Sequence, residues 1–197
     1  MSKDGTAQYE DAGELPSLVR EALLLAERME FSNSCRPEQG RLLAVLAAGR
    51  TGGVIGETGT GCGVGLAWLV SGSGPGTRIV SVERDIRQAA AVASLFRHLP
   101  NVEILNGDWT DIAAYAPFDL LFLDGGGEGR RTSGDRPLDP VDLLAPRGSI
   151  VLDDFSFNHQ AEDRTDNVRS YYLSHPDLAA AEILIASGAS SVVGTRR

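Results

Sequence analysis

The chain has 197 residues and a net charge of −9. That length provides one domain with a full hydrophobic core, and the acidic balance argues against nucleic acid or an anionic membrane surface as partner. No apolar run approaches the roughly 20 residues of a membrane span, no apolar signal segment opens the chain, and Cys35 and Cys62 form no metal-ligand pattern; together these features point to a reducing, cytoplasmic setting.

Residues 1–14 are polar and acidic and read as an arm, either mobile or partner-contacting, ahead of a single domain over 15–197. From Pro16 to Met29 the apolar residues Leu18, Val19, Ala22, Leu23, Ala26 and Met29 recur at helical spacing, with Pro16 at the helix start. A second helix runs from Pro37 or Glu38 to about Ala48 and is closed by Gly49. The apolar first helix and the acidic arm could serve a homodimer contact.

Strand–helix units then repeat. A strand over 53–56 leads to a helix over 63–71, a strand over 78–82 to a helix over 86–98, and a strand over 102–105 to a helical turn over 110–115. Strands over 119–123 and 149–152 flank a helical segment around 140–144. Such alternation argues an α/β fold with a mostly parallel, doubly wound sheet. The end differs in kind, because a helix over 167–173 is followed by strands over 181–186 and 190–194 joined by a tight turn, and strands so joined are antiparallel.

The stretch Gly53–Gly65, GVIGETGTGCGVG, joins the first strand to its helix. A Gly-rich turn there lets a ligand lie against bare backbone and directs the first free N–H groups of the helix at it. Spacing separates the sites that use such a turn. A phosphate loop needs G-x-x-x-x-G-K-[ST], but Cys62 stands where the lysine belongs. The dinucleotide fingerprint G-x-G-x-x-G needs a third glycine where Val64, Leu66 or Trp68 stands, depending on register.

What remains is Glu57 followed by Gly59, Gly61 and Gly63, which resembles the E/D-x-G-x-G-x-G loop of class I S-adenosylmethionine (SAM) dependent methyltransferases. The resemblance implies a Rossmann-like sheet of seven strands, with SAM across Gly59–Gly63. Glu83 lies 20 residues after Gly63 at a strand end, where an ionised carboxylate can accept both hydroxyls of a ribose. In this family Asp108 and Trp109 match a polar residue facing the adenine amino group and an aromatic ring against its face; otherwise Trp109 is core and Asp108 a helix cap. Asn33-Ser34-Cys35 falls where related enzymes close backbone groups over the methionine carboxylate.

The resemblance narrows further on. Phe118–Gly125, FDLLFLDG, is similar to the F-D-h-h-h-h-D-G/A segment of the catechol-type, metal-dependent O-methyltransferases, and Pro146–Asp154, PRGSIVLDD, to their P-G-G-h-h-h-h-D-[ND] segment. By that resemblance Asp124, Asp153 and Asp154 bind Mg²⁺, Ca²⁺ or Mn²⁺, and the substrate is a small-molecule hydroxyl. Three carboxylates suit a hard cation, and without one they raise each other's pKa values.

Two departures stand out. Asp154 replaces the commoner Asn, and Gly127 occupies the position of the family's catalytic lysine. The sole lysine is Lys3, in the arm. His159 is then the candidate general base, since imidazole titrates near neutral pH; alternatively the metal alone, held at the catalytic Asp124, acidifies a bound hydroxyl. Arg130 and Arg131 could steer an acidic substrate. Two rival readings remain: a metal-independent methyltransferase on another acceptor, and a SAM-binding protein without catalysis. The N/D-P-P-Y/W motif of many N-methyltransferases is absent, with Asp124-Gly125-Gly126-Gly127 in its place.

Overall fold

The computed structural model describes residues 4–125, 129, 136–156 and 164–197. Among them are seven strands: β1 (Val54–Thr58), β2 (Arg78–Glu83), β3 (Val102–Asn106), β4 (Phe118–Leu123), β5 (Leu144–Ser156), β6 (Leu178–Ala186) and β7 (Ala189–Arg196). They form one sheet in the order β3-β2-β1-β4-β5-β7-β6. The first five strands pair in parallel, and β7 is antiparallel to both β5 and β6. This is the doubly wound sheet with a terminal antiparallel hairpin that the alternation of elements predicts.

Both faces of the sheet are apolar, as a parallel sheet covered on both sides requires. Ile55, Ile79, Leu120, Phe122 and Val151 face one core, while Val80, Val82, Leu121, Leu123, Ile150 and Leu152 face the other. The first core is closed by α1 (Ser17–Arg28), α2 (Pro37–Ala48), α3 (Val64–Gly72) and α4 (Ile86–Phe96), through side chains such as Ala22, Leu43, Leu66 and Val92. The second is closed by a 3₁₀ turn at Trp109–Tyr115, by the short α5 (Pro140–Leu143) and by α6 (Arg164–Leu173), through Ile112, Leu143 and Tyr172. Pro37 occupies the first turn of α2, where its missing N–H costs nothing. Among the described residues, no helix is long and apolar enough to cross a membrane.

The largest departure from the sequence expectation is β5. It runs over Leu144–Ser156 rather than 149–152, because Leu144 pairs with Phe118 at one end and Phe155 with Ser190 at the other. Its register with β7 shifts between Leu152 and Phe155. Leu152 and Phe155 nevertheless face the same core, although they are three positions apart. Asp154 takes up the odd residue at φ 65°, in the left-handed region. A bulge of this kind re-aims the side chains at it. Strict alternation would turn Asp154 into the second apolar core; here it is exposed, next to buried Asp153.

The arm is fastened where it is described. Thr6–Tyr9 form a 3₁₀ turn. The buried Tyr9 hydroxyl accepts from the Trp68 indole N–H at 2.9 Å. Thr6 donates its backbone N–H to the Ser32 carbonyl at 3.1 Å and its hydroxyl to the Phe31 carbonyl at 2.9 Å.

Candidate active site

The site lies at the carboxyl ends of β1, β2, β4 and β5, where open α/β sheets collect ligands. Gly59, Gly61 and Gly63 all have positive φ, at 85°, 55° and 83°. Gly63 caps α3 without a side-chain hydrogen bond, which leaves the first-turn N–H groups of that helix for a ligand. The turn is drawn against β2: Gly59 N–H donates to the Val82 carbonyl at 2.9 Å, and Gly61 N–H to Glu83 Oε2 at 2.8 Å. Glu83 Oε1 accepts from Asp85 N–H at 2.8 Å. The buried Glu83 carboxylate is thus held in place by backbone donors on both oxygens, and the remaining lone pairs are what it can offer to a ribose.

A pocket with room for about one water molecule lies behind the turn, lined by Cys35, Glu57, Gly59, Gly61 and Asp124 among others. It brings five of the sequence-predicted cofactor residues together. Phe31, which the sequence pattern does not single out, covers it: a Cβ on Gly61 would meet the Phe31 ring at 2.9 Å. The loop after α1 therefore rests on the backbone that a cofactor would contact.

Glu57 is buried and accepts from the Ser81 hydroxyl at 2.5 Å. Burial, with the charges of Asp124 and Glu83 adding to it against the Ser81 hydrogen bond, pushes its carboxyl up to about 8. Burial, together with Asp153 and Asp154, pushes Asp124 up to about 7. Burial and then Asp154 raise Asp153. The Cys35 thiol is raised by burial and by the carboxylates of Asp124, Asp153 and Glu57.

These shifts have a stability consequence of fixed sign. Glu57 stays neutral in the fold between its ordinary value of 4.5 and about 8, a range in which an unfolded chain ionises it. Its contribution to folding is therefore complete below about pH 4.5 and is lost as pH rises to 8. We expect the melting temperature of protein kept in chelator to fall between pH 5 and pH 8.5 by several degrees, at about 1.4 kcal/mol per pH unit per group at most. Glu57→Gln should flatten that slope in a thermal-shift series. An unchanged slope would mean that Glu57 ionises inside the fold.

Asp124, Asp153 and Asp154 each place one carboxylate oxygen within 4.8 Å of the others. Oxygens that share one Ca²⁺ at about 2.3–2.6 Å lie at most about 5 Å apart, and those on Mg²⁺ at about 2.0–2.1 Å at most about 4 Å, so the spacing of the three residues lies inside the span of a Ca²⁺ shell and their donor type suits either ion. Asp124 is set by the end of β4, with its N–H donating to the Thr58 carbonyl at 3.1 Å. Asp153 and Asp154 are set by the bulge in β5.

Asp108 caps the 3₁₀ turn, accepting from Thr110 N–H at 3.1 Å in a reciprocal arrangement with Asp111. It is exposed, and Trp109 is half-buried beside it, outside both cores. His159, Gly127, Arg130 and Arg131 lie outside the described residues.

The family model for a methyltransferase domain matches residues 57–155, just over half of the chain. The chain belongs to this methyltransferase family. The match starts at Glu57 and ends just after Asp154, so it takes in the glycine turn, Glu83 and all three aspartates. No curated protein matches the methyltransferase by sequence. Among solved structures it is similar to the O-methyltransferase of Bacillus cereus in complex with SAH, at 20% identity and TM-score 0.75, covering 98% of this chain and 96% of that one. It is also similar to the O-methyltransferase TomG of Streptomyces achromogenes, involved in tomaymycin synthesis and in complex with SAM, at 20% identity and TM-score 0.74, over 98% and 95% of the two chains. The SAH-bound methyltransferase PaMTH1 of Podospora anserina follows at 16% identity and TM-score 0.66, over 94% and 91%. At these identities the likeness is one of fold.

Proposed function

We propose that this methyltransferase transfers the methyl group of SAM to a hydroxyl of a small molecule, with a divalent cation on Asp124, Asp153 and Asp154. The observation that carries the reading is the meeting of two features at one end of the sheet: the glycine turn with Glu83, and three carboxylates with oxygens within 4.8 Å. The SAH and SAM bound to the similar structures from Bacillus cereus and Streptomyces achromogenes support the choice of cofactor. The free, buried Cys35 and Cys62 suit a reducing, cytoplasmic setting.

When bound, SAM supplies a methyl group already activated on a sulfonium, and the cation supplies a Lewis acid that lowers the pKa of a hydroxyl. The chain's own residues supply position. Gly59–Gly63 offers bare backbone for close approach, and Glu83, held by Gly61 and Asp85, is oriented as an acceptor for ribose hydroxyls. Asp124 stands between the turn and the aspartates, since it lines the pocket behind the glycines and belongs to the acidic cluster. A hydroxyl placed there is brought towards the methyl carbon, and alignment of this kind accounts for much of the barrier in a bimolecular transfer. Lys3 is the only lysine, so no lysine of the domain takes the proton; His159 is the imidazole nearest in sequence to Asp153 and Asp154.

A second reading has one observation behind it. Asp124, pushed up to about 7, is matched to general-base work near neutral pH without any cation. Methyl transfer to a panel of catechols and hydroxy acids, run with EDTA and then with added Mg²⁺, separates the two. Turnover that stops in EDTA and returns with Mg²⁺ supports the metal-assisted reading; turnover indifferent to EDTA supports Asp124 as base. Absence of SAM binding by calorimetry would exclude both.

A further inference from the structure

Beyond the three aspartates, one buried polar chain reaches the same site from α2 and β7. Gln39, in the first turn of α2, is fully buried. Its side-chain oxygen as placed lies 2.8 Å from Ser191 Oγ in β7, and Ser191 Oγ lies 3.0 Å from Asp153 Oδ1 in β5. Ser191 is itself fully buried. The three residues come from distant parts of the chain, and nothing but the fold brings them into line.

The proton count decides how they are arranged. A serine hydroxyl has one proton and cannot donate to a glutamine carbonyl and an ionised carboxylate together. In that same placement, buried Gln39 Nε2 has no hydrogen-bond partner. The oxygen and nitrogen of a side-chain amide are assigned from the network around them. Turning the Gln39 amide over lets Nε2–H donate to Ser191 Oγ and frees the Ser191 proton for Asp153 Oδ1. Every donor then points towards the carboxylate.

We propose that Gln39 and Ser191 are positioning residues for Asp153, forming a relay Gln39 Nε2–H to Ser191 Oγ–H to Asp153 Oδ1 that fixes the plane of the carboxylate for a divalent cation. The proposal rests on the cation reading of Asp124, Asp153 and Asp154. A bond from Ser191 occupies one lone pair of Oδ1, and the Asp154 backbone N–H holds the same carboxylate. Asp153 needs such a hold because it precedes a bulge whose next residue, Asp154, is already in the left-handed region. Partners of this outer kind orient a metal ligand, and their loss typically costs about 10–100-fold in metal affinity.

The test is calorimetric titration of the full chain with Mn²⁺, alongside SAM affinity and melting temperature. Ser191→Ala and Gln39→Leu should each weaken Mn²⁺ by about 10–100-fold while SAM affinity stays within about twofold, a split that a general loss of packing would not produce. Ser191→Thr, which keeps the hydroxyl, should recover most of the affinity. Because Gln39 acts only through Ser191, the double variant should be no worse than Ser191→Ala alone. Mn²⁺ affinity within about twofold of the wild type in either folded single variant would overturn the relay. A wild-type chain that takes up no Mn²⁺ would overturn the cation reading and the relay together, and that outcome is visible before any variant is made.

Discussion

Asp153→Ala should lower methyl transfer by about two to three orders of magnitude and leave SAM binding intact. The expectation follows from where Asp153 sits. It is buried within the acidic cluster, would offer a cation one oxygen, and is not among the residues that line the pocket behind the glycine turn. Losing one of three anionic ligands removes several kcal/mol of charge stabilisation at the reacting oxygen, and each 1.36 kcal/mol is about tenfold in rate. The measurement is single-turnover transfer at saturating Mg²⁺, with SAM affinity read separately. The same drop should be reached in the wild type by EDTA, and EDTA should add little to the variant. A variant that keeps wild-type rates while binding SAM would remove the metal from the reaction. Asp154→Asn makes the contrast, because it keeps an oxygen donor and Asn tolerates the left-handed backbone that Asp154 adopts at φ 65°; we expect at most about a tenfold loss there, since one charge and no ligand is removed.

Gly59→Ala should lower both the stability of the protein and its affinity for SAM. Gly59 has φ 85°, and a Cβ there would lie 2.4 Å from Gly125 Cα and 2.6 Å from Gly125 N. The obstacle is backbone, so no rotamer change relieves it. The converse also holds: a Cβ on Gly125 would lie 2.2 Å from Gly59 Cα. These two glycines let the ends of β1 and β4 close on each other, which sets Asp124 beside the cofactor turn. Left-handed strain of about 1–2 kcal/mol and overpacking of about 1–3 kcal/mol together predict a fall in melting temperature of roughly 5–15 °C. SAM affinity should fall with it, because the turn must shift to admit the methyl group. A variant with unchanged melting temperature and SAM affinity would show that the close approach of Gly59 and Gly125 is not needed.

Most of the fold is legible in the sequence because its signals are local. Strands buried on both faces read as apolar runs, helices as a 3.6-residue period, and the antiparallel ending as two strands with a tight turn between them. The length of β5 is not legible in that way. Its ends are fixed by partners, Leu144 against Phe118 and Phe155 against Ser190, and the polar pair Asp153-Asp154 looks like a strand end until the bulge accommodates it. The site divides along the same line. Glu57, the glycines, Glu83 and the aspartates form contiguous motifs, and the structure brings Cys35, Glu57 and Asp124 to one pocket beside them. Phe31, Gln39 and Ser191 carry no motif. A phenylalanine after a helix, a glutamine within one and a serine in a late strand acquire their roles only when α1, α2 and β7 are stacked on the sheet. Asp108 has both a local role as a cap and the exposure that a ligand contact needs, and its sequence neighbourhood is the same in either case.

The ring of Phe31 on Gly61 has a kinetic side. A ligand that lies on the Gly61 backbone must take the volume this ring fills, and the loop that carries it is tied to Thr6 through the Phe31 and Ser32 carbonyls. We expect a nucleoside that binds on that face of Gly61 to enter and leave only when the Phe31 ring lifts. Phe31→Ala should then speed SAM dissociation in a stopped-flow measurement, and an unchanged rate would mean that the ring does not cover the path of the cofactor.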